Sequence, residues 1–212
     1  GENNTNRAKE YYHLFPAMIN DWRKKWGKDF PFYWVQLANY MDVVEVPSES
    51  LWAQVREAQT QTLSLSHTGQ AVIIDIGEAK DIHPKNKQEV GRRLALHALH
   101  NDYGFSDVVC ESPMPKTVRR VQDKIVVQFD NVADGLIVKN KYGYLMSFAV
   151  AGNDGVYKWV QAKVAGKDRV VLSCPDVIDP VSVRYAWGDN PDDANLYNSV
   201  GLPATPFEIK IE

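Results

Sequence analysis

The spacing of hydrophobic residues changes once along the chain, near residue 105. Before that point, apolar residues recur at helical spacing in three windows. In 5–26, Tyr11, Phe15, Met18, Trp22 and Trp26 return every three or four residues, with Leu14 and Ile19 beside them. Thr5 or Asn6 is placed to cap the start of this helix, and Gly27 to end it. In 48–60, SESLWAQVREAQT, the positions Leu51, Val55 and Ala58 share a helical face, with Ser48 and Ser50 placed as caps. In 86–101, Val90, Leu94 and Ala98 do the same. Two continuous apolar runs lie between the helices: PFYWVQL at 31–37 and QAVIIDI at 70–76. Such runs suit strands covered on both faces. The alternation of helix and strand predicts an α/β layer with a parallel sheet. Two strands are too few for such a layer, so the rest of the sheet is expected from sequence outside these residues.

Beyond 105 the helical period is gone. Short β-rich runs follow at 118–122, 124–130, 135–139, 146–150, 156–164, 169–173, 181–186 and 206–211. Turn residues separate them, as in Asp134-Gly135, Gly152-Asn153-Asp154-Gly155 and Gly188-Asp189-Asn190-Pro191. The pattern predicts a β-sandwich of about 100 residues. The domain organisation is therefore 1–105 for the α/β part and 106–212 for the sandwich-like part, joined by a linker over 104–117.

Composition narrows the function classes. The formal net charge is -3 over 212 residues and the charges are interspersed, so nucleic-acid binding has no electrostatic support. Two cysteines, Cys110 and Cys174, build neither a disulfide framework nor a zinc cluster, although one bridge remains open to them. No run of 18 apolar residues occurs, so no membrane insertion is expected, and no signal peptide is recognisable. The first residue is glycine.

The chemistry concentrates in AVIIDIGEAKDIHPKNKQEVGRRLALHAL, 71–99. An apolar strand ends in Asp75, and a polar loop then carries Asp81 and His83 before Pro84 and a helix. Ligands of open α/β sheets gather outside the carboxyl ends of the strands. Pro84 fits the first helical position, which would fix the backbone beside His83. Asp81 can orient the imidazole and stabilise its cation, or it can simply cap the following turn. His97 and His100 lie late in a helix and read as structural. The opening GENN precedes a helix, so Asn3 or Asn4 can offer an amide to a developing oxyanion or merely cap. Tyr142, Tyr144, Tyr157, Trp159, Tyr185, Trp187 and Tyr197 enrich the β part. They suit sheet packing or a sugar-stacking platform. Tyr185 and Trp187 alternate with Ala186, which predicts one shared face.

These segments together resemble the SGNH hydrolases and, within them, the sialate O-acetylesterase family of carbohydrate esterases. The resemblance is carried by GENNTNRAKEYYHLFPAMINDWR, FPFYWVQLANY, LWAQVREAQ and IDIGEAKDIHPKNKQEVGRRLA. In the β part it is carried by FDNVADGL, FAVAGNDGVYKWVQAKVAGKDRVVLS and VRYAWGDNPDDANLYNSVGLPATPF. It extends over essentially the whole chain. It implies a partial flavodoxin-like sheet followed by the sandwich-like part. It also implies a serine esterase that removes O-acetyl groups from a carbohydrate, sialic acid being the suspected substrate, without metal or organic cofactor. His83 corresponds to the base and Asp81 to the orienting acid. Asn3 and Gly1 correspond to the oxyanion hole. Glu2, Asn4, Trp187 and Tyr185 are candidate substrate-lining residues. The acid stands two residues before His83, where the wider superfamily has three. Glu78, Asp75 or a backbone carbonyl therefore remain alternatives for holding the ring.

No serine here occupies a glycine-rich strand-to-helix elbow; Ser64 and Ser66 lie in a polar loop. The nucleophile is thus expected upstream of Gly1, in an N-terminal half that would also complete the sheet. By resemblance alone the setting is periplasmic or secreted. Without an upstream serine, the chain would read instead as a non-enzymatic carbohydrate-binding or structural β-module.

Overall fold

The computed structural model describes residues 1–212. A 3-10 turn over Glu2–Arg7 leads into helix α1, Ala8–Trp26. Strand β1 is Phe32–Val35, helix α2 is Leu51–Gln61, strand β2 is Thr68–Ala71 and helix α3 is Lys87–Asn101. β1 and β2 pair in parallel, with Phe32 opposite Thr68 and Val35 opposite Ala71. Successive strand residues point to opposite faces. Trp34 accordingly meets Phe15 of α1 edge to face at 5.1 Å, while Tyr33 stacks on His97 of α3 at 5.6 Å. No helix is long and apolar enough to cross a membrane.

The helix ends show which capping signals act. Gly27 adopts φ +62° and gives its N–H to the carbonyls of Arg23 and Lys24, the left-handed stop that glycine favours. The Ser50 hydroxyl accepts the Ala53 N–H at 2.9 Å at the start of α2. Neither Thr5 nor Asn6 caps α1, because the 3-10 turn occupies that stretch and α1 begins after Arg7 without a side-chain cap. Pro84 is not the first residue of α3. The Asn86 side chain accepts the Glu89 N–H and sets the start at Lys87.

The buried faces of α2 and α3 are more polar than the apolar spacing predicts. α2 buries Trp52, Val55, Arg56 and Gln59 and leaves Leu51 half exposed. α3 buries Arg93 and His97, while Val90, Leu94 and Ala98 are only half-buried. The reason lies in the strand ends, where backbone groups leave the ladder and still need partners. Arg93 donates to the Val72 carbonyl at 2.6 Å, and the His97 Nε2 lies 3.1 Å from the Gln70 carbonyl. Gln59 accepts the Leu37 N–H at 3.0 Å.

The rest of the chain is antiparallel. β3 (Met114–Val121), β4 (Lys124–Asp130), β9 (Arg169–Ser173) and β8 (Gln161–Ala165) form one four-stranded sheet in that order. A second sheet orders β12 (Phe207–Lys210), β10 (Ser182–Tyr185), β6 (Phe148–Ala151) and β7 (Tyr157–Trp159). β5 (Leu136–Val138) pairs with β11 (Leu196–Asn198). Inward residues of both four-stranded sheets meet in one core that includes Val118, Ile125, Val127, Val150, Val183 and Phe207. The single run at 156–164 divides between β7 and β8, which belong to different sheets. At the joint, the Val160 N–H turns to the Phe148 carbonyl. The expected linker over 104–117 already contains the start of β3, and β11 had no sequence signal of its own. Cys110 and Cys174 are both buried free thiols, and burial pushes Cys110 up to about 11.

Among the side chains that join the α/β and β parts, Arg56 is the most deeply buried. Arg56 of α2 is 0% exposed. Its guanidinium donates to Leu37 O at 2.8 Å, Ala38 O at 2.7 Å, Gly188 O at 2.6 Å and Asp189 O at 2.9 Å. Two of these carbonyls follow β1 and two belong to the turn after β10. Burial lowers the Arg56 pKa to about 9, partly offset by Asp189, so the group stays cationic at neutral pH. Arg56→Met would leave all four carbonyls without this donor. The expected loss is about 3–5 kcal/mol, read as a fall of roughly 10 °C in the thermal midpoint. A variant that melts like the parent would remove Arg56 from this role.

Candidate active site

Past the carboxyl ends of β1 and β2, segments 36–41 and 72–83 run side by side. The Gly77 N–H donates to the Asn39 Oδ1 at 2.7 Å, and the Met41 N–H donates to the Ala79 carbonyl at 3.0 Å. A Cβ on Gly77 would stand 2.2 Å from the Asn39 carbonyl oxygen, so only glycine fits this approach. Asn39 in turn donates to Asn190 Oδ1 at 2.8 Å, and Asn190 donates to Met41 O at 2.7 Å. The Tyr40 N–H reaches Asp189 O at 3.1 Å, and Ser50 donates to the Asp189 carboxylate. The Gly-Asp-Asn turn of the β part therefore clamps the strand-end loops.

The sequence-predicted residues distribute around this edge as follows. A Cβ on Gly1 would lie 3.8 Å from Leu37 Cδ2, which places the start of GENN beside the end of β1. Glu2 and Asn3 are exposed, Asn4 is half-buried, and the Asn4 N–H donates to Gly1 O at 2.9 Å. Thus GENN and the loop bearing His83 both lie at the carboxyl edge of the parallel pair. The His83 side chain is 80% exposed. Asp81 Oδ1 accepts the His83 backbone N–H at 2.9 Å and stands 3.7 Å from His83 Nδ1. The aspartate thus makes the local turn bond and also faces the ring.

The alternative partners of His83 are engaged elsewhere. Glu78 is paired with Lys85 at 2.6 Å. Asp75 is held bidentately by Arg93 at 2.6 and 2.9 Å and accepts the Tyr197 hydroxyl at 3.2 Å. Asp81 is the carboxylate left facing the imidazole.

Tyr185 and Trp187 do not share a face. Ala186 takes φ +49°, which breaks the strand alternation that the prediction assumed. Tyr185 is 1% exposed, packs against Phe148 at 4.7 Å, and its hydroxyl accepts the Leu196 N–H at 3.0 Å. It is a core residue of the β part. Trp187 is also buried, its ring 5.0 Å from the Arg184 guanidinium carbon, and its indole N–H finds no acceptor. Sequence reading passed over Arg56, Asn39, Asn190 and Arg93. The signal available was a polar residue at a core-facing helical position, as Arg56 is between Val55 and Gln59.

No family model matches this chain. It is 28% identical over 235 residues to the sialate O-acetylesterase of Homo sapiens and 28% identical over 242 residues to that of Mus musculus. These alignments take in 98% and 100% of this chain but only 44% and 43% of those proteins. The crystal structure of a carbohydrate acetylesterase from Xanthomonas citri superposes with a TM-score of 0.91 at 43% identity. It covers 99% of this chain, which spans 48% of that one. The chain is homologous to these carbohydrate esterases over most of its length, and its mixed α/β fold with an antiparallel β region is related to theirs.

Helix α3, which follows the His83 loop, is held at its first turn by Glu89. The hydrogen bond from Arg92 is the largest cause of a Glu89 pKa lowered to about 2, against the usual 4.5; burial opposes it and Arg93 adds to it. A carboxyl depressed on folding stabilises above its unfolded pKa and loses that contribution as pH falls through the folded one. Part of the stability should therefore disappear between pH 4.5 and about 2. Glu89→Gln should show a shallower loss over this window in urea titrations at stepped pH. Equal slopes for both proteins would contradict the assignment.

Proposed function

We propose that this chain carries the base and part of the oxyanion hole of a serine esterase that removes O-acetyl groups from a carbohydrate. The observation that carries the reading is the Asp81–His83 pair, on a loop clamped past the strand ends in a chain homologous to carbohydrate esterases. The nucleophilic serine comes from a segment of the full-length protein preceding Gly1, and that segment also completes a flavodoxin-like sheet. The relatives' greater length supports this, since the chain spans under half of them. Sialic acid is the preferred acetylated sugar, and the setting is periplasmic or secreted, both on the same resemblance.

Asp81 lies nearest Nδ1 of His83, which leaves Nε2 to move protons. The serine oxygen bonds to the acetyl carbonyl carbon as its proton passes to His83. The carbonyl oxygen becomes an oxyanion, and the Asn3 amide with the Gly1 backbone donates to it. The intermediate collapses, the bond to the sugar oxygen breaks, and His83 returns the proton to that oxygen. Water then repeats the sequence on the acetyl-serine, releasing acetate. Glu2 and Asn4 face the substrate from the same turn. The core position of Tyr185 leaves it no direct contact with substrate, and Trp187 acts from behind the Gly-Asp-Asn turn.

In the full-length protein, His83→Ala should lower acetyl-ester turnover by about 10⁴-fold or more while leaving the melting temperature in place. His97→Ala is the control, since that ring is buried against Gln70 and Tyr33. It should cost stability rather than the chemical step. Full activity in His83→Ala would overturn the esterase reading and favour a non-catalytic carbohydrate-binding module.

A further inference from the structure

A groove of about 680 Å³ opens between the loop that follows β5 and strand β8. Tyr142, Tyr144, Met146, Val160, Gln161 and Lys163 line it. Tyr142 and Tyr144 are each 68% exposed, their rings stacked with centroids 6.0 Å apart and planes 27° from parallel. An exposed aromatic pair is costly to hold unless the backbone beneath it is fixed, and here it is. Asn140 Oδ1 accepts the N–H groups of Tyr142 and Tyr144 at 2.9 and 3.2 Å, and its amide donates to Tyr144 O. The buried Asn195 donates to the same carbonyl at 2.8 Å and accepts the Met146 N–H at 3.0 Å. The platform is therefore set before any ligand arrives, which lowers the ordering cost of binding.

Charge selects the occupant. No carboxylate lines the groove, whereas Lys163 lies in its wall and Lys141 stands 4.7 Å from the centre of the Tyr142 ring. Neither lysine forms an ion pair within the chain. The adjoining depression of about 380 Å³ carries the carboxylates of Asp75, Asp192 and Asp193 against a single cation, Lys139, so an anion is directed to the tyrosine and lysine end. A sugar ring offers a C–H face to an aromatic ring and hydroxyls to its rim, and Gln161 supplies an amide there.

We propose that this groove is a second carbohydrate site, which takes a pyranose bearing a carboxylate, stacked on Tyr142 and Tyr144 with its anion between Lys141 and Lys163. None of its lining residues belongs to the His83 loop, and it requires no acetyl group on its ligand. It would hold an acidic glycan chain on the protein while the esterase site acts elsewhere along it.

The test is calorimetric titration of the protein with 3′-sialyllactose and with neutral lactose. Sialyllactose should bind at least about fivefold more tightly, and the Tyr142→Ala/Tyr144→Ala double variant should lose about tenfold or more. Lys141→Ala/Lys163→Ala should bring sialyllactose down to the level of lactose. His83→Ala should bind as the parent does, which separates this site from the esterase reading. Both tyrosines are exposed, so the double variant should retain the parent's circular dichroism and melting curve. No binding of sialyllactose, equal binding of the two sugars, or undiminished binding by the tyrosine variant would each overturn the proposal. So would loss of binding in His83→Ala alone.

Discussion

The burial of one guanidinium organises this molecule. Arg56 lies on the inner face of α2, and its donors go to carbonyls on both sides of the boundary between the parallel and antiparallel parts. A buried charge is tolerated when hydrogen bonds compensate its lost hydration. Here four carbonyls do so, two of which, Ala38 O and Asp189 O, also accept the Trp52 indole N–H and the Tyr40 N–H. Removing the guanidinium would therefore expose an error in two places at once. The arrangement fixes the turn 188–190 against 37–40. Through Asn39 and Asn190 that turn reaches Gly77 and Met41, and so the loop carrying Asp81 and His83. The β part thus acts as a brace for the strand-end loops. A second clamp lies at the other end of the same loop. Asp75 joins Arg93 of α3 to Tyr197 of β11, so the segment leaving β2 is also tied to both parts.

Much of this architecture was legible in the sequence because it follows from burial. The apolar run 31–37 contains β1, but the run 70–76 meets β2 only at Gln70 and Ala71, because the chain leaves the ladder after Ala71 and the apolar side chains of 72–74 are buried in a loop; the parallel pairing follows from helix α2 between the strands. Gly27 and Ser50 acted as their chemistry requires. The failures have a common physical cause. Arg56, Arg93 and His97 are polar side chains on buried faces, so a reading that weighs apolar spacing places Leu51 or Leu94 inward instead. Their partners are backbone carbonyls distant in sequence, and no spacing rule reaches across 132 residues, the separation between Arg56 and Gly188. The reading of Tyr185 and Trp187 failed at a single dihedral angle, since Ala186 leaves the extended region.

The site itself was legible in part. Asp81 and His83 stand out because an acid and an imidazole sit two residues apart beyond a buried strand. Of the carboxylates the sequence left open, Glu78 pairs with Lys85 and Asp75 with Arg93. The resemblance read from GENN and DIHP agrees with the homology to carbohydrate esterases, and Gly1 lies beside Leu37 at the end of β1. What the spacing could not supply was the clamp that holds them there, because Asn39 and Asn190 are ordinary loop residues until the fold brings them together.

The central claim is that the strand-end loops and the β part form one cooperative unit. Amide hydrogen exchange tests it directly at Tyr40, Met41 and Gly77, whose N–H groups bond Asp189 O, Ala79 O and Asn39 Oδ1. The account predicts that these amides open with the same free energy as Val183 in the core of the β part. In Arg56→Met all three should exchange faster together. Exchange at Tyr40, Met41 and Gly77 that is orders of magnitude faster than at Val183 in the parent protein would contradict it.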